Sequence, residues 1–385
     1  MPTLLPSAMA VDTLHDRYKI ALLGDWFLPH AGGIEIQMHD LAEQLTLAGH
    51  EVHVVTPIPG PTRMGGFQIH RLRARRVPLF GFVATLHPFV ELAELLRRER
   101  YDVVHCHTSY IAPTAYGGAY LCQKLAIPTV ITFHSVLAHF AHLLAAADRW
   151  LHWSNWQVLF SGVSRFVTAA IERIVAPHPV YLLPNAIDLA FWRQSQRAAQ
   201  KDPEVVLVAV TRFSPRKRVD SLLKTVAQVR SARPEIPIRL LVVGEGPLRP
   251  YLERLIARLG LNTVVHLLGY QPRTQIRTLF SQAHIFVSAC AIESFGLAAL
   301  EARCAGLPIV ARSSGVDQFI THNQNGLLAT TDQELADFLL QLIQDPARRQ
   351  QIARHNQLTA PPFGWEHVLP QHLAFYHQAT TMVHR

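Results

Sequence analysis

The chain has 385 residues, 49% of them hydrophobic, and a formal charge of +8 at pH 7, with a pI near 9.6. That length exceeds one ordinary core and points to two domains of about 150 to 200 residues each. The basic balance favours anionic partners, meaning nucleic acid, acidic lipid headgroups or phosphorylated small molecules. No aromatic-interleaved basic stretch or zinc-finger spacing is present, which sets nucleic acid aside. Cys106, Cys122, Cys290 and Cys304 form no C-x-x-C pair, which argues against a zinc or dithiol site and fits a reduced, cytoplasmic setting.

Residues 1–17 read as a flexible tail: Ala-Met-Ala mimics a signal-peptidase site, but no basic residue precedes it, and Pro2 and Pro6 interrupt the apolar run. From Lys19 onward, short apolar runs alternate with amphipathic stretches, as expected for parallel strands joined by crossover helices. Strands are expected at Ile20 to Leu23, Val52 to Thr56, Val103 to His105, Thr129 to Phe133 and Val180 to Leu183, with helices at Ile34 to Ala48, Pro88 to Arg100 and Phe166 to Ile174. The apolar stretch Val136 to Ala147 is cut by His139 and His142 and falls short of a membrane span. Leu183-Pro184-Asn185-Ala186-Ile187-Asp188 and the polar run Arg193 to Pro203 mark a domain boundary.

A second series follows. Its strands are expected at Val205 to Val210, Arg239 to Val243, Val264 to Leu267, His284 to Ser288 and Pro308 to Ala311, and its helices at Asp220 to Val229, Leu248 to Leu259, Thr274 to Ser281 and Leu297 to Ala305. Trp365 to Tyr376 has a helical pattern that suits a return to the first domain. The expected division is therefore 1–17, 18–186, 187–362 and 363–385. The fold class is α/β, with two doubly wound domains that bind ligand across a crevice at the carboxyl ends of their strands.

Glu293 and Glu301 stand eight residues apart between two apolar runs. Small residues open that segment, helix formers follow and Gly306-Leu307-Pro308 closes it, so a helix should begin near Ser294. Its N-terminus would offer orphan amides to a phosphate while the carboxylates accept hydrogen bonds from hydroxyl groups, an arrangement that fits a sugar joined to a diphosphate. Eight helical residues rise ~12 Å at about 1.5 Å each, whereas paired hydrolase carboxylates lie roughly 5 to 9.5 Å apart. Two carboxylates gripping opposite ends of one ligand is the better reading.

Arg212-Phe213-Ser214-Pro215-Arg216-Lys217 directly follows a strand, so Arg212 and Lys217 are placed to stabilise a departing diphosphate; a solvated basic loop is the plain alternative. Gly244-Glu245-Gly246-Pro247 lacks the third glycine of a dinucleotide fingerprint. It reads as a helix-starting turn near the ligand. In the first domain, Gly32 and Gly33 precede Ile34-Glu35 at a helix start, where backbone amides approach a ligand closely. His107 and His134 lie at strand ends. With 22 histidines in the chain most are structural, and His134, followed by Ser135, is the better candidate. No ligand-spaced cluster and no Asp-x-Asp pair is present, so no metal is expected. Arg71, Arg73, Arg75 and Arg76 precede the apolar Val77 to Val83. This pattern suits either an acidic membrane surface or a solvated loop.

These segments resemble the glycosyltransferase family 4 enzymes with two Rossmann-like domains facing across a cleft (GT-B). The resemblance extends from residue 18 to about 380. It is carried by Gly32-Gly33-Ile34-Glu35, by Leu183 to Asp188, by Arg212 to Lys217, by Gly244 to Pro247 and, most specifically, by Glu293-Ser294-Phe295-Gly296-Leu297 through Glu301. It implies retaining transfer from a UDP- or GDP-sugar, without metal or other cofactor. Arg212 and Lys217 would hold the diphosphate and Glu301 the ribose, with Glu293 and His134 on the transferred sugar. Amides around Phe295, Gly296 and Leu297 would complete the cradle with Ser294 and Gly244, and domain closure would exclude water. Gly32, Gly33, Glu35 and His107 would face the acceptor.

Arg218 and Ala186 stand where the family often has glycine, and Val316-Asp317-Gln318 replaces Ile-Pro-Glu, which bears on loop shape and sugar choice. The chain is similar to relatives that glycosylate inositol-containing lipids or inositol phosphates, which implies a lipid-linked, inositol-type or polysaccharide acceptor and a peripheral place on the inner membrane face. Two other readings stay open: a nucleotide-sugar epimerase on the same plan, and a noncatalytic nucleotide-sugar binder.

Overall fold

The structure, a computed structural model, describes residues 17–30, 32–74, 76–77, 82–83, 87–109, 112–135, 155–194 and 204–383. The expectations for the tail, the Val136 to Ala147 stretch, Arg75 and most of the polar run before Pro203 lie outside the described residues. The chain divides into two compact units, Met1–Ala186 with Phe363–Arg385, and Ile187–Pro362.

The first unit is built on an eight-stranded sheet. Its order is Val180–Leu182, Val158–Gly162, Thr129–Phe133, Val103–Thr108, Lys19–Gly24, Glu51–Thr56, Phe67–Arg71 and Arg63–Met64. All neighbours are parallel except the last pair. Helices cover the sheet, so the central strands Val103–Thr108 and Thr129–Phe133 are buried along their whole length. Gly24 pairs with His107, and Thr108 with Phe133, so Asp25, Thr108 and His134 lie at the carboxyl ends of three adjacent strands. The helix Trp365–Val383 returns to this unit, where Val368, Leu373, Phe375 and Tyr376 share a core with Ile20, Leu22, Val103 and Leu159.

The second unit has a six-stranded, all-parallel sheet in the order Val265–Gly269, Ile238–Val243, Val205–Val210, Ile285–Ser288, Ile309–Arg312 and Gly326–Ala329. Leu207, Leu240, Ile285, Val310 and Leu327 meet the helical Leu223, Val226, Leu252 and Leu339 in its core.

Several elements go beyond the sequence expectations. The helix Pro113–Lys124 buries Ala115, Gly118, Ala119 and Cys122, residues too small for a strong apolar stripe. The helices Asp332–Gln344 and Pro346–Leu358 are announced by their caps: Thr331 accepts from the Glu334 amide and Asp345 from the Arg348 amide. Arg71 is a correction. Rather than joining a surface cluster, its guanidinium donates to the carbonyls of Leu28, Ile58 and Pro61 at 3.0, 2.8 and 3.0 Å. No helix among the described residues is long and apolar enough to cross a membrane.

Candidate active site

In the second unit, two strand exits run against each other. Thr211 N donates to Val243 O and Phe213 N to Glu245 O, both at 2.9 Å, and Leu248 N donates to Phe213 O at 3.1 Å. Gly244 has φ +137, and a Cβ there would stand 1.8 Å from the Thr211 carbonyl oxygen, so a side chain would drive the exits apart. Gly244 thus shapes the basic loop. Phe213 is fully buried and anchors that loop while Arg212 stays exposed. A single 3-10 turn, Pro215–Lys217, then leads into the helix Val219–Ala232 through Arg218, whose φ of 51 lies in the left-handed region.

That turn brings Lys217 to Glu293. Its Nζ lies 2.5 Å from Glu293 Oε2, with the side chains 19% and 16% exposed. Burial pushes the Glu293 carboxyl up, but the charge and hydrogen bond of Lys217, aided by Arg216, outweigh it and leave the group below its usual range. The surrounding loop is held from several sides. Arg216 Nη1 donates to Ile292 O at 3.2 Å, Gly315 N donates to Glu293 O at 2.9 Å, and Cys290 Sγ contacts Arg216 O at 3.5 Å.

The helix after Glu293 begins at Leu297, not near Ser294 as the composition suggests. Phe295 turns inward onto Phe319, with ring centroids 5.5 Å apart, while Gly296 takes φ 91 with Val316 Cγ1 only 2.6 Å from where a Cβ would be. Burying the aromatic ring requires this left-handed corner, which an α-helix does not contain. The helix start has no side-chain cap; the Ala299 amide donates to the Gly296 carbonyl at 3.0 Å, and the positive end of the helix favours an anion. Because Glu293 precedes the helix, the straight-helix separation estimated from sequence does not apply. Glu301 lies in the second turn, 9% exposed, with Arg273 Nη2 3.7 Å from its Oε1.

In the first unit, His134 sits just past the strand Thr129–Phe133 and is 7% exposed. His107 Nδ1 lies 2.9 Å from His134 Nε2. Behind them His105 contacts Tyr376 OH at 2.9 Å and Thr132 Oγ1 at 2.6 Å, and Thr132 in turn contacts Ser161 Oγ at 2.7 Å. Burial lowers all these histidines, His134 to about 3, His372 to about 4, and His105 and His107 well below the usual range. They are neutral at pH 7.

His107 stands against His134 at 3% exposure. Gly33 is exposed at the start of the helix Gly33–Leu47, which has no side-chain cap. Gly32, at φ −166, is merely extended. Glu35 is buried at 3% exposure, with Oε1 2.9 Å from His30 Nδ1. Among the described residues, His39, Asp40 and Glu43 offer metal-ligand atoms within 4.8 Å of one another, along that same helix.

Sequence reasoning missed Asp25, which accepts hydrogen bonds from the Thr114 and Ala115 amides at 2.8 and 3.1 Å and caps the helix Pro113–Lys124 from a neighbouring strand. Burial raises its carboxyl to about 6 despite those bonds. It also missed Gln37, whose Oε1 accepts from the Ala186 amide at 3.1 Å. His372 and Tyr376 were legible as an i,i+4 polar pair on an otherwise apolar helical face.

Comparison with known proteins identifies the family and the fold. Residues 31–191 match the family model described as Glycosyltransferase Family 4, and residues 190–358 match Glycosyl transferases group 1. The chain is 24% identical to the alpha-monoglucosyldiacylglycerol synthase of Acholeplasma laidlawii, covering 90% of this chain and 94% of that protein. It is 29% identical to the D-inositol 3-phosphate glycosyltransferase of Pseudarthrobacter chlorophenolicus, covering 91% of each. The solved structure of Anabaena HepE in complex with UDP and glucose has the same fold, with a TM-score of 0.74 at 22% identity, over 96% of this chain and 100% of that one. With family models matching from residue 31 to residue 358, the chain belongs to the family 4 glycosyltransferases.

Proposed function

We propose that this glycosyltransferase moves a hexosyl group, with retention and without metal, from a nucleoside-diphosphate sugar to a hydroxyl of a polar-lipid or inositol-type acceptor. The carrying observation is the Lys217–Glu293 contact at 2.5 Å beside an uncapped helix start. A cation and a carboxylate beside a helix N-terminus match a diphosphate joined to a sugar hydroxyl face. In the reaction the bond from C1 of the sugar to the diphosphate breaks. Arg212, Lys217 and the amides of Phe295, Gly296 and Leu297 take up the charge that the leaving group gains.

Glu301 holds the ribose hydroxyls, Glu293 and His134 hold the transferred sugar, and Gly32, Gly33 and Glu35 face the acceptor. Before donor arrives, Glu293 neutralises Lys217; the donor supplies the competing anion. The HepE complex with UDP and glucose supports a uridine donor, and the names of the two relatives support the acceptor class. Exposed Arg73 and the net charge of +8 favour a peripheral place on the acidic inner face of a membrane.

Thermal shift in EDTA tests this reading. A UDP- or GDP-sugar should raise the melting temperature through linkage, and Arg212→Ala or Lys217→Ala should abolish the rise. Release of nucleoside diphosphate that depends on added acceptor separates transfer from epimerisation and from simple binding. Glu293→Ala should reduce turnover more than donor affinity; equal losses would reduce Glu293 to a binding group.

A further inference from the structure

The buried histidines of the first unit form a polar chain whose proton positions follow from its ends. Ser161 Oγ lies 3.4 Å from the Ile131 carbonyl, which can only accept. Ser161 therefore donates to Ile131, Thr132 donates to Ser161, and His105 donates from Nε2 to Thr132. His105 is left with a lone pair on Nδ1, and Tyr376 donates its hydroxyl proton there. Every group in this branch is satisfied, so His105 has nothing to offer His107, although their ring centroids are 4.0 Å apart.

His107 and His134 form the other branch. His107 Nδ1 meets His134 Nε2 at 2.9 Å, while His107 Nε2 is buried without a hydrogen-bond partner among the described residues. Both rings are neutral, so one of the two facing nitrogens carries the shared proton. If His134 donated, His107 would carry its own proton on Nε2 and bury an N–H with no acceptor. If His107 donates, the buried atom is a lone pair. Orphaned buried N–H groups are the rarer and costlier case. The choice reaches His134 directly, because accepting at Nε2 leaves its proton on Nδ1.

We propose that His107 is a positioning residue: it donates from Nδ1 to His134 Nε2 and so fixes His134 in the tautomer that presents Nδ1–H to an oxygen of the transferred sugar. This rests on the reading that His134 holds that sugar, and it adds the direction of the hydrogen bond. A fixed donor prefers a hydroxyl or ring oxygen, which can accept, over a cationic or purely donating group. Tyr376 and Thr132 contribute by occupying His105, so that the pair is left with one proton arrangement. The returning helix Trp365–Val383 thereby reaches the site through Tyr376.

Long-range proton–nitrogen correlation on the 15N-labelled full chain without ligand reads the tautomer directly, with the His134 signals assigned by their loss in His134→Gln. The unmodified enzyme should show protonated Nδ1 and bare Nε2 on His134. His107→Leu should mix the two tautomers and lower turnover about three- to tenfold, the worth of one neutral hydrogen bond, with donor affinity unchanged. His107→Asn, whose amide nitrogen replaces Nδ1 as donor, should restore both tautomer and turnover. A protonated Nε2 on His134 in the unmodified enzyme, or equal behaviour of the Leu and Asn variants, overturns the proposal. Protonated Nδ1 together with unchanged turnover in His134→Ala would support the proton arrangement and overturn the sugar contact.

Discussion

The two units bury polar groups in opposite ways. In the first, His105, His107, His134 and His372 are enclosed with one another, Tyr376, Thr132 and the Val368 carbonyl as partners, and burial keeps them uncharged. In the second, Lys217 and Glu293 are partly buried and form an ion pair, in which Lys217 offsets the desolvation of the Glu293 carboxylate. Neutral donors suit hydroxyl groups, whose charge does not change, whereas a displaceable ion pair suits a diphosphate whose charge grows as it leaves. The two units thus hold two different kinds of buried polarity, one neutral and one ionic.

Acid should break this symmetry most strongly. A histidine whose pKa is lowered by folding is neutral in the native state but protonates in the unfolded chain below about 6.5. Its contribution is intact above that pH and is lost as pH falls towards the native values near 3 to 4 for His134 and His372. Each such group costs about 1.4 kcal/mol per pH unit in that window. Asp25, raised to about 6, opposes them with one proton between its native and unfolded values. Hydrogen exchange at pH 7 and pH 5 should show Val103–Thr108 losing several kcal/mol of protection while Ile238–Val243 changes little. Equal losses in both strands would remove the distinction.

Removing one ion-pair partner is the next largest effect. Lys217→Ala strands the Glu293 carboxylate and should cost about 3 to 5 kcal/mol in urea denaturation, along with turnover. The double variant Lys217→Met with Glu293→Gln should regain most of that stability and none of the activity. If stability does not return, packing rather than charge explains the single variant. Gly244→Ala should follow at about 1 to 3 kcal/mol, since its Cβ would meet the Thr211 carbonyl. Donor binding should fall with it as the Arg212 loop shifts. Smallest is Tyr376→Phe, which removes the donor to His105 and should cost about 1 kcal/mol. A larger loss would mean that the hydrogen-bonded chain is cooperative.

Much of this was legible along the chain. Val205–Val210 and Thr129–Phe133 are apolar runs long enough to be read as strands without help, and the acidic and basic motif residues of the second unit, Lys217 and Glu293 among them, stand out by type and spacing. Arg218 shows where such reading ends. The place often held by glycine has φ 51, and here arginine tolerates the left-handed backbone while its guanidinium donates to both oxygens of Asp332 at 3.1 and 2.6 Å. That partner is 114 residues away.

Local patterning by itself determined the alternation of strand and helix, the identity of the charged groups and the helical character of the last segment, because hydrophobic period and charge are properties of neighbours in sequence. Only the tertiary structure decided that Lys217 faces Glu293, that His107 stands against His134 and that Tyr376 bonds to His105. Proton positions, burial and pairing depend on groups brought together from distant strands. An imidazole in sequence carries no mark of whether water, a carboxylate or a second imidazole will stand beside it.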